Sequence, residues 1–152
     1  LRVGPVRVLP ADFPRADLTL MTAAVSDFRP AQSSPKKLHK KATARALELV
    51  ENPDLIATLS AKKRKGQIVC GFAAENREEI DISGLEKLQN KKLDAIFANA
   101  VDESFGKPTN AGMLIYRGGR SVAFSTADKT VLAEQLLEEL ASEFFTGESD
   151  GK

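Results

Sequence analysis

The sequence has a single cysteine, Cys70, set in the apolar run Ile68-Val69-Cys70-Gly71-Phe72. One thiol excludes an internal disulfide and a zinc site built on thiolates, and it points to a reducing compartment. No apolar stretch approaches the roughly 18 residues that a membrane span needs. The start, Leu1-Arg2-Val3-Gly4, carries no secretory apolar region. The expectation is a cytoplasmic protein without a membrane segment. Excess charge of one sign is also lacking: 22 Lys and Arg against 21 Asp and Glu leave a formal net charge of +1. A whole-molecule field for nucleic acid or for membranes is therefore excluded. The patterns GxGxxG, GxxxxGK[ST], HExxH and GxSxG do not occur. Dinucleotide, P-loop, zincin and serine hydrolase readings lose their support. Met is missing from the first position, which suggests a processed or truncated start with upstream sequence left out.

What is present is ordinary globular composition, 42% apolar and 28% charged over 152 residues, enough for one core and one domain. That domain is expected over residues 1–145, with 146–152 as a flexible tail. Val3, Val6 and Val8 around Pro5 suggest at best an edge strand. Leu18 to Val25 is an almost unbroken apolar run, as expected of a central parallel strand. It ends at Ser26-Asp27-Phe28-Arg29-Pro30, where a residue before proline sends the chain into a loop. Residues 44–50 fit a short helix or a strand. Asn52-Pro53-Asp54 reads as a helix start, with Asn52 as N-cap, Pro53 at the first helical position and Asp54 in the positive first turn. That helix turns Leu55, Ile56 and Leu59 inward and stops at Gly66, with Lys62 to Lys65 at its negative end.

Gln67 to Ala73 and Leu93 to Ala98 read as buried strands around a helix over Arg77 to Lys92, whose core stripe would be Ile82, Leu85 and Leu88. Met113 to Tyr116 and Ser121 to Ser125 form a hairpin about Gly118-Gly119. Ala127 to Phe145 is the last helix, with Leu132, Leu136, Leu140 and Phe144 at i, i+4 spacing. Strands alternating with helices predict an α/β fold with a mostly parallel sheet, helices on both faces and a C-terminal antiparallel hairpin. In such a sheet ligands sit beyond the carboxyl ends of the strands. The loops after Val25, Ala73 and Ala98 are the places for a site.

Several residues there could carry chemistry, each with a plain structural alternative. Asp27 could cap a strand end, or bind a ribose hydroxyl or a magnesium ion. Pro35-Lys36-Lys37-Leu38-His39-Lys40-Lys41 is either a solvated run or a basic flap that closes over polyphosphate. Phe72, among the small residues Gly71, Ala73 and Ala74, is a core plug or a surface for stacking on a base. Lys87 and Lys91, four apart on one helical face, are solvated lysines or phosphate contacts.

Five segments in order, Ala23-Ala24-Val25-Ser26-Asp27-Phe28-Arg29-Pro30, Lys37-Leu38-His39-Lys40, Asn52-Pro53-Asp54-Leu55, Gly71-Phe72-Ala73-Ala74-Glu75 and Lys87-x3-Lys91-Lys92-Leu93-Asp94, with Ala98-Asn99 following, resemble the phosphopantothenoylcysteine synthetase family. This is the synthetase part of the bacterial bifunctional coenzyme A biosynthesis protein. Each segment is weak alone; the ordered set, spread over residues 16–145, is specific. The resemblance implies a Rossmann-like ligase domain that joins 4′-phosphopantothenate to cysteine. In bacterial members CTP activates the carboxylate as an acyl-cytidylate, with magnesium bridging the triphosphate. On matching positions, Ala23, Ala24, Asp27, Lys37, Asn52, Pro53, Asp54, Leu55, Phe72, Lys87 and Lys91 would contact the nucleotide. Lys37 would also act catalytically from the flap.

The resemblance further implies a homodimer, here through the edge strand Val122 to Ser125, and a possible fused flavin-dependent decarboxylase domain. An ATP-using branch and a non-catalytic nucleotide-binding or dimerisation module are the alternatives. Three departures stand out. His39 takes the place of a flap lysine, and Ala100 that of an Asp. The glycine-rich strand–turn and the Asn-x-Ser-Ser-Gly segment, which holds the family's catalytic asparagine, have no counterpart before Pro14. The chain alone is expected to be N-terminally incomplete and to lack full activity.

Overall fold

The computed structural model describes residues 12–34, 46–76, 78, 80–100 and 106–145. The strand expected around Val6, the segment with Lys37 and His39, and the tail lie outside the described residues. A 3-10 turn, Phe13–Arg15, leads into β1 (Leu18–Met21); β2 (Phe28–Pro30) and β3 (Leu49–Glu51) follow, then α1 (Leu55–Ser60) and β4 (Ile68–Glu75). The chain continues through α2 (Ile80–Asn90), β5 (Ala95–Ala100), β6 (Thr109–Tyr116), β7 (Ser121–Asp128) and α3 (Lys129–Phe145). The main sheet has the order β1-β4-β5-β6-β7, and β2 and β3 form a separate ribbon. β1, β4 and β5 run parallel, and the hairpin β6–β7 extends them antiparallel. This is the Rossmann-like α/β fold that the sequence predicts.

Alternation along the strands divides the core in two, because successive side chains leave opposite faces. Val69, Ala73, Ile96 and Ile115 face α1 and α2, where they meet Leu59 and Leu88. Cys70, Phe97, Leu114 and Tyr116 face α3, where Leu132, Leu136 and Leu140 cover them. The i, i+4 leucines of the last helix therefore pack as the spacing predicts. Gly112 lies against β5: a Cβ there would stand 2.5 Å from the Ala98 carbonyl and 2.6 Å from the Phe97 ring, at the point where the β6–β7 register shifts.

Several expectations are corrected. The apolar run from Leu18 stops pairing at Met21, opposite Gly71, and β1 is an edge strand of the described sheet rather than a central one. Ala23 to Val25 are exposed loop. The chain does not turn off at Pro30, because Phe28–Pro30 pairs antiparallel with Leu49–Glu51. The same pairing resolves residues 44–50 in favour of a strand. Asp54, not Asn52, caps α1: its carboxylate accepts from the Ala57 N–H at 3.0 Å. In α2 only Leu88 of the expected stripe is buried; Ile82 is 67% and Leu85 37% exposed. The helix presents Gly84 and Leu88 to the sheet instead, and a Cβ on Gly84 would stand 2.8 Å from Ile115 Cδ1. The hairpin turn has a positive φ at Gly119 only. Tyr116 accepts from Gly119 N–H and donates to Arg120, the three-residue loop with a left-handed last residue rather than a two-residue turn. Val122 and Phe124 pack toward the α3 face, so core packing accounts for their apolar character.

The basic run after α1 has a different use from a helix dipole. Lys63 Nζ donates to both Asp94 oxygens at 2.6 Å, and Arg64 pairs with Asp17. Asp94 also accepts from the Val69 N–H at 2.9 Å and faces Arg117 at 3.1 Å. The Lys63 and Asp94 side chains are only 17% and 14% exposed. Asp94→Ala would strip the Lys63 ammonium of its counter-ion, leaving it only the Lys92 carbonyl, and take away the Val69 amide's acceptor; it should cost about 3 kcal/mol in a denaturant melt, and a loss below about 1 kcal/mol would contradict the assignment.

Cys70 is fully buried, and burial pushes its thiol pKa up to about 12. At pH 8 it should react with a disulfide reagent at least about a hundredfold more slowly in native than in denatured protein. Equal rates would contradict its place in the core.

Candidate functional site

A cleft of about 480 Å³ opens between the end of β1, the β2–β3 ribbon and the start of α1. Its walls are Met21, Ala23 to Phe28, Glu51 to Ile56, Phe72 and Lys91. Three local causes place these residues. First, β1 stops pairing after Met21, which frees the following residues as an exposed loop. Second, the ribbon registers Phe28 opposite Glu51, and so returns the chain to the cleft just before α1. Third, the Asp54 cap fixes the first turn of α1, and Leu55 and Ile56 pack from it against the core.

The β1–β2 loop is tied to the segment before α1. Asn52 N–H donates to the Asp27 carbonyl at 2.7 Å, and the Asn52 side-chain amide donates to the Ser26 carbonyl at 2.6 Å. Arg29 donates to the Glu51 carbonyl at 2.7 Å and to Asn52 Oδ1 at 3.0 Å. The Asp27 carboxylate is exposed at the cleft and has no partner among the described residues.

Lys91 reaches Asp54 at 3.0 Å, with side chains 33% and 45% exposed. Burial pushes the Asp54 carboxyl up, but the Ala57 N–H and Lys91 outweigh it and hold it below its ordinary value of 3.8. With a lowered folded value, the cap and the pair contribute fully above that ordinary value and are lost as pH falls through the lower one. Phe72 is half-buried, with its ring 5.6 Å from that of Phe97 and one side lining the cleft. It is thus both a core plug and a cleft wall.

Of the sequence-predicted site residues, Ala23, Ala24, Asp27, Asn52, Pro53, Asp54, Leu55, Phe72 and Lys91 come together in this one cleft. Lys87 does not line it: its ammonium is paired with Glu75 at the end of β4. Lys37 lies outside the described residues. Among the described residues, the loops after Ala73 and Ala98 supply no lining side chain; the first loop, the segment Glu51 to Ile56, Phe72 and Lys91 do. Sequence reasoning missed Phe28 and Glu51 as walls because it missed the ribbon. The available signal was Leu47 and Leu49 alternating before Glu51.

An exposed carboxylate, a helix start, an aromatic face and an ammonium around one cleft can hold a polar ligand with a planar part and an anionic part. No three metal-ligating side chains cluster among the described residues.

Comparison with known proteins follows the same lines. Residues 6–144 match the family described as DNA/pantothenate metabolism flavoprotein, C-terminal domain. The coenzyme A biosynthesis bifunctional protein CoaBC of Vibrio vulnificus is 33% identical over 129 residues, 82% of this chain and 32% of that protein. The protein of the same name from Bacillus subtilis is 33% identical over 130 residues, 84% of this chain and 32% of that one. A cysteine/cysteine sulfinic acid decarboxylase from an unknown prokaryotic organism is 30% identical over 131 residues, 84% of this chain and 36% of that one. The chain thus spans about a third of the length of these relatives.

Among solved structures, the C-terminal domain of a CoaBC protein superposes with a TM-score of 0.68 at 24% identity, over 89% of this chain and 58% of that one. A DNA/pantothenate metabolism flavoprotein from Streptococcus pneumoniae gives 0.67 at 17% identity, over 89% and 67%. These two likenesses show the fold, and with the sequence match they place this chain in the DNA/pantothenate metabolism flavoprotein C-terminal domain family, among relatives of coenzyme A biosynthesis.

Proposed function

We propose that the chain is the ligase part of a coenzyme A biosynthesis enzyme that joins 4′-phosphopantothenate to L-cysteine at the expense of CTP. The observation that carries this reading is the convergence of Asp27, Asn52 to Leu55, Phe72 and Lys91 on one cleft. These residues come from four separated motifs, and the fold brings them to one cleft. The cation in that cleft favours polyphosphate chemistry over the decarboxylase activity that one relative's name carries.

In this reading a carboxylate oxygen of 4′-phosphopantothenate attacks the α-phosphorus of CTP. The bond to pyrophosphate breaks, leaving an acyl-cytidylate. The cysteine amine then attacks the acyl carbon, the carbon–oxygen bond breaks, and CMP leaves as the amide forms and the amine gives up a proton. The protein's part is positioning and charge. Phe72 offers a face to the base, the first turn of α1 shapes the base end, and Lys91 turns from Asp54 toward phosphate. Lys37, assigned by its motif alone, would close over the phosphates from its flap. Magnesium, when bound, would neutralise charge on the triphosphate, and the Asp27 carboxylate, which has no partner among the described residues, is the group that would hold it, since such an ion takes few protein ligands beside phosphate. The setting would be cytoplasmic. Two copies would pair as a homodimer, for which β7 offers the outer backbone of an edge strand.

Full-length protein given CTP, 4′-phosphopantothenate and cysteine should release pyrophosphate and form the amide. Preference for ATP would move it to the ATP-using branch, and no nucleotide-dependent pyrophosphate would favour the non-catalytic module. Lys37→Ala should slow acyl-cytidylate formation by roughly 2 to 4 kcal/mol of lost charge stabilisation; unchanged turnover would return the basic run to a solvated surface. Light scattering at micromolar protein should give twice the chain mass, and a monomer would contradict the dimer.

A further inference from the structure

We infer that Arg29 is a positioning residue of the cleft, acting through the Asn52 carboxamide to hold the loop that carries Asp27. This rests on the reading of the cleft as a nucleotide site and deepens it. Arg29 does not line the cleft, whereas Ser26, Asp27, Phe28, Glu51 and Asn52 around it all do. Its guanidinium links two acceptors on one segment, the Glu51 carbonyl and Asn52 Oδ1. Asn52 passes that link on, because its amide nitrogen donates to the Ser26 carbonyl and its backbone N–H to the Asp27 carbonyl. Both polar atoms of the Asn52 side chain are therefore engaged inside the protein, which makes Asn52 a strut of the loop rather than a ligand contact.

The loop has little else to hold it. Residues 22–28 are all exposed, β1 has already left the sheet at Met21, and the Ser26 hydroxyl reaches only the Phe28 carbonyl beside it. Arg29, Asn52 and Ser26 contribute nothing to either core cluster. Loss of the strut should therefore be felt in ligand affinity and not in the fold. Arg is suited to the role because its planar fork can donate in fixed directions, which an ammonium cannot.

The test compares full-length wild type, Arg29→Ala, Asn52→Ala and the double variant. CTP affinity is read by calorimetry, amide exchange over residues 22–28 and at Asn52 by mass spectrometry, and melting by calorimetry. Arg29→Ala should weaken CTP binding about tenfold to a hundredfold, the range for a lost hydrogen bond to a charged group. The melting temperature should move by no more than about 2 °C. Exchange should speed up in the loop and at Asn52. Because the two residues form one strut, the double variant should bind no more weakly than the worse single variant. Additive losses, which would mean independent contacts with the ligand, would overturn the inference. So would wild-type affinity in Arg29→Ala. If wild type binds neither CTP nor ATP, the proposed function falls, and exchange alone then decides the strut: faster exchange in Arg29→Ala upholds it and unchanged exchange overturns it.

Discussion

The Asp94 carboxylate joins three separate parts of the structure. It receives Lys63 from the turn after α1, the Val69 N–H from the start of β4 and Arg117 from the β6–β7 turn, while its own N–H donates to the Val69 carbonyl. One residue before the start of β5 thus sets the register of the central parallel pair and ties a helix end and a hairpin to it. Just before it, Lys92 adopts a φ of +53°, and its carbonyl accepts from Ser60, Lys63 and Arg117. A side chain in that left-handed region is unusual outside turns. Here three donors converge on the carbonyl that this conformation presents.

This clamp lies at the amino ends of β4 and β5, and its effect is carried to the cleft by packing. Asp94 brings Leu93 with it, and Leu93 meets Ile56 over the bare backbone of Gly71, where a Cβ would stand 2.8 Å from Leu93 Cδ1 and 3.1 Å from Ile56 Cδ1. Ile56 is in turn a wall of the cleft. The segment Lys91-Lys92-Leu93-Asp94 therefore does two things: Lys91 faces the cleft, and the following three residues lock the sheet against α1. Its appearance as one motif reflects both needs, and only the first concerns a ligand.

The fold was legible where periodicity met burial. The strands around Cys70 and Phe97, the hairpin and the leucines of α3 follow from apolar pattern because each packs into a continuous core. The pattern failed where the partner was backbone or space. Gly84 replaces Ile82 and Leu85 as the contact of α2 because close approach to Ile115 outweighs a larger apolar stripe. The ribbon was hidden because Arg29-Pro30 signals a loop, and its pairing depends on Leu49 to Glu51, about twenty residues away. Asn52 has the signature of a helix cap, since nothing local distinguishes it from Asp54; its actual partners, Ser26 and Arg29, are contacts that only the ribbon creates. Of the residues that the family resemblance names, those from Ala23 to Asp27, Asn52 to Leu55, Phe72 and Lys91 gather at one cleft, while the helix residue Lys87 is held apart from it by Glu75 at the end of β4.

The central claim is that residues distant in sequence form one nucleotide-binding cleft. Titration of isotope-labelled protein with CTP, followed through backbone amide resonances, tests it most directly. The account predicts saturable shifts concentrated at Ala23 to Asp27, Asn52 and Asp54 to Ile56, Phe72 and Lys91, with the sheet around Asp94 unmoved. Absence of any shift, or shifts gathered on the outer face of α3 or along β7, would contradict it.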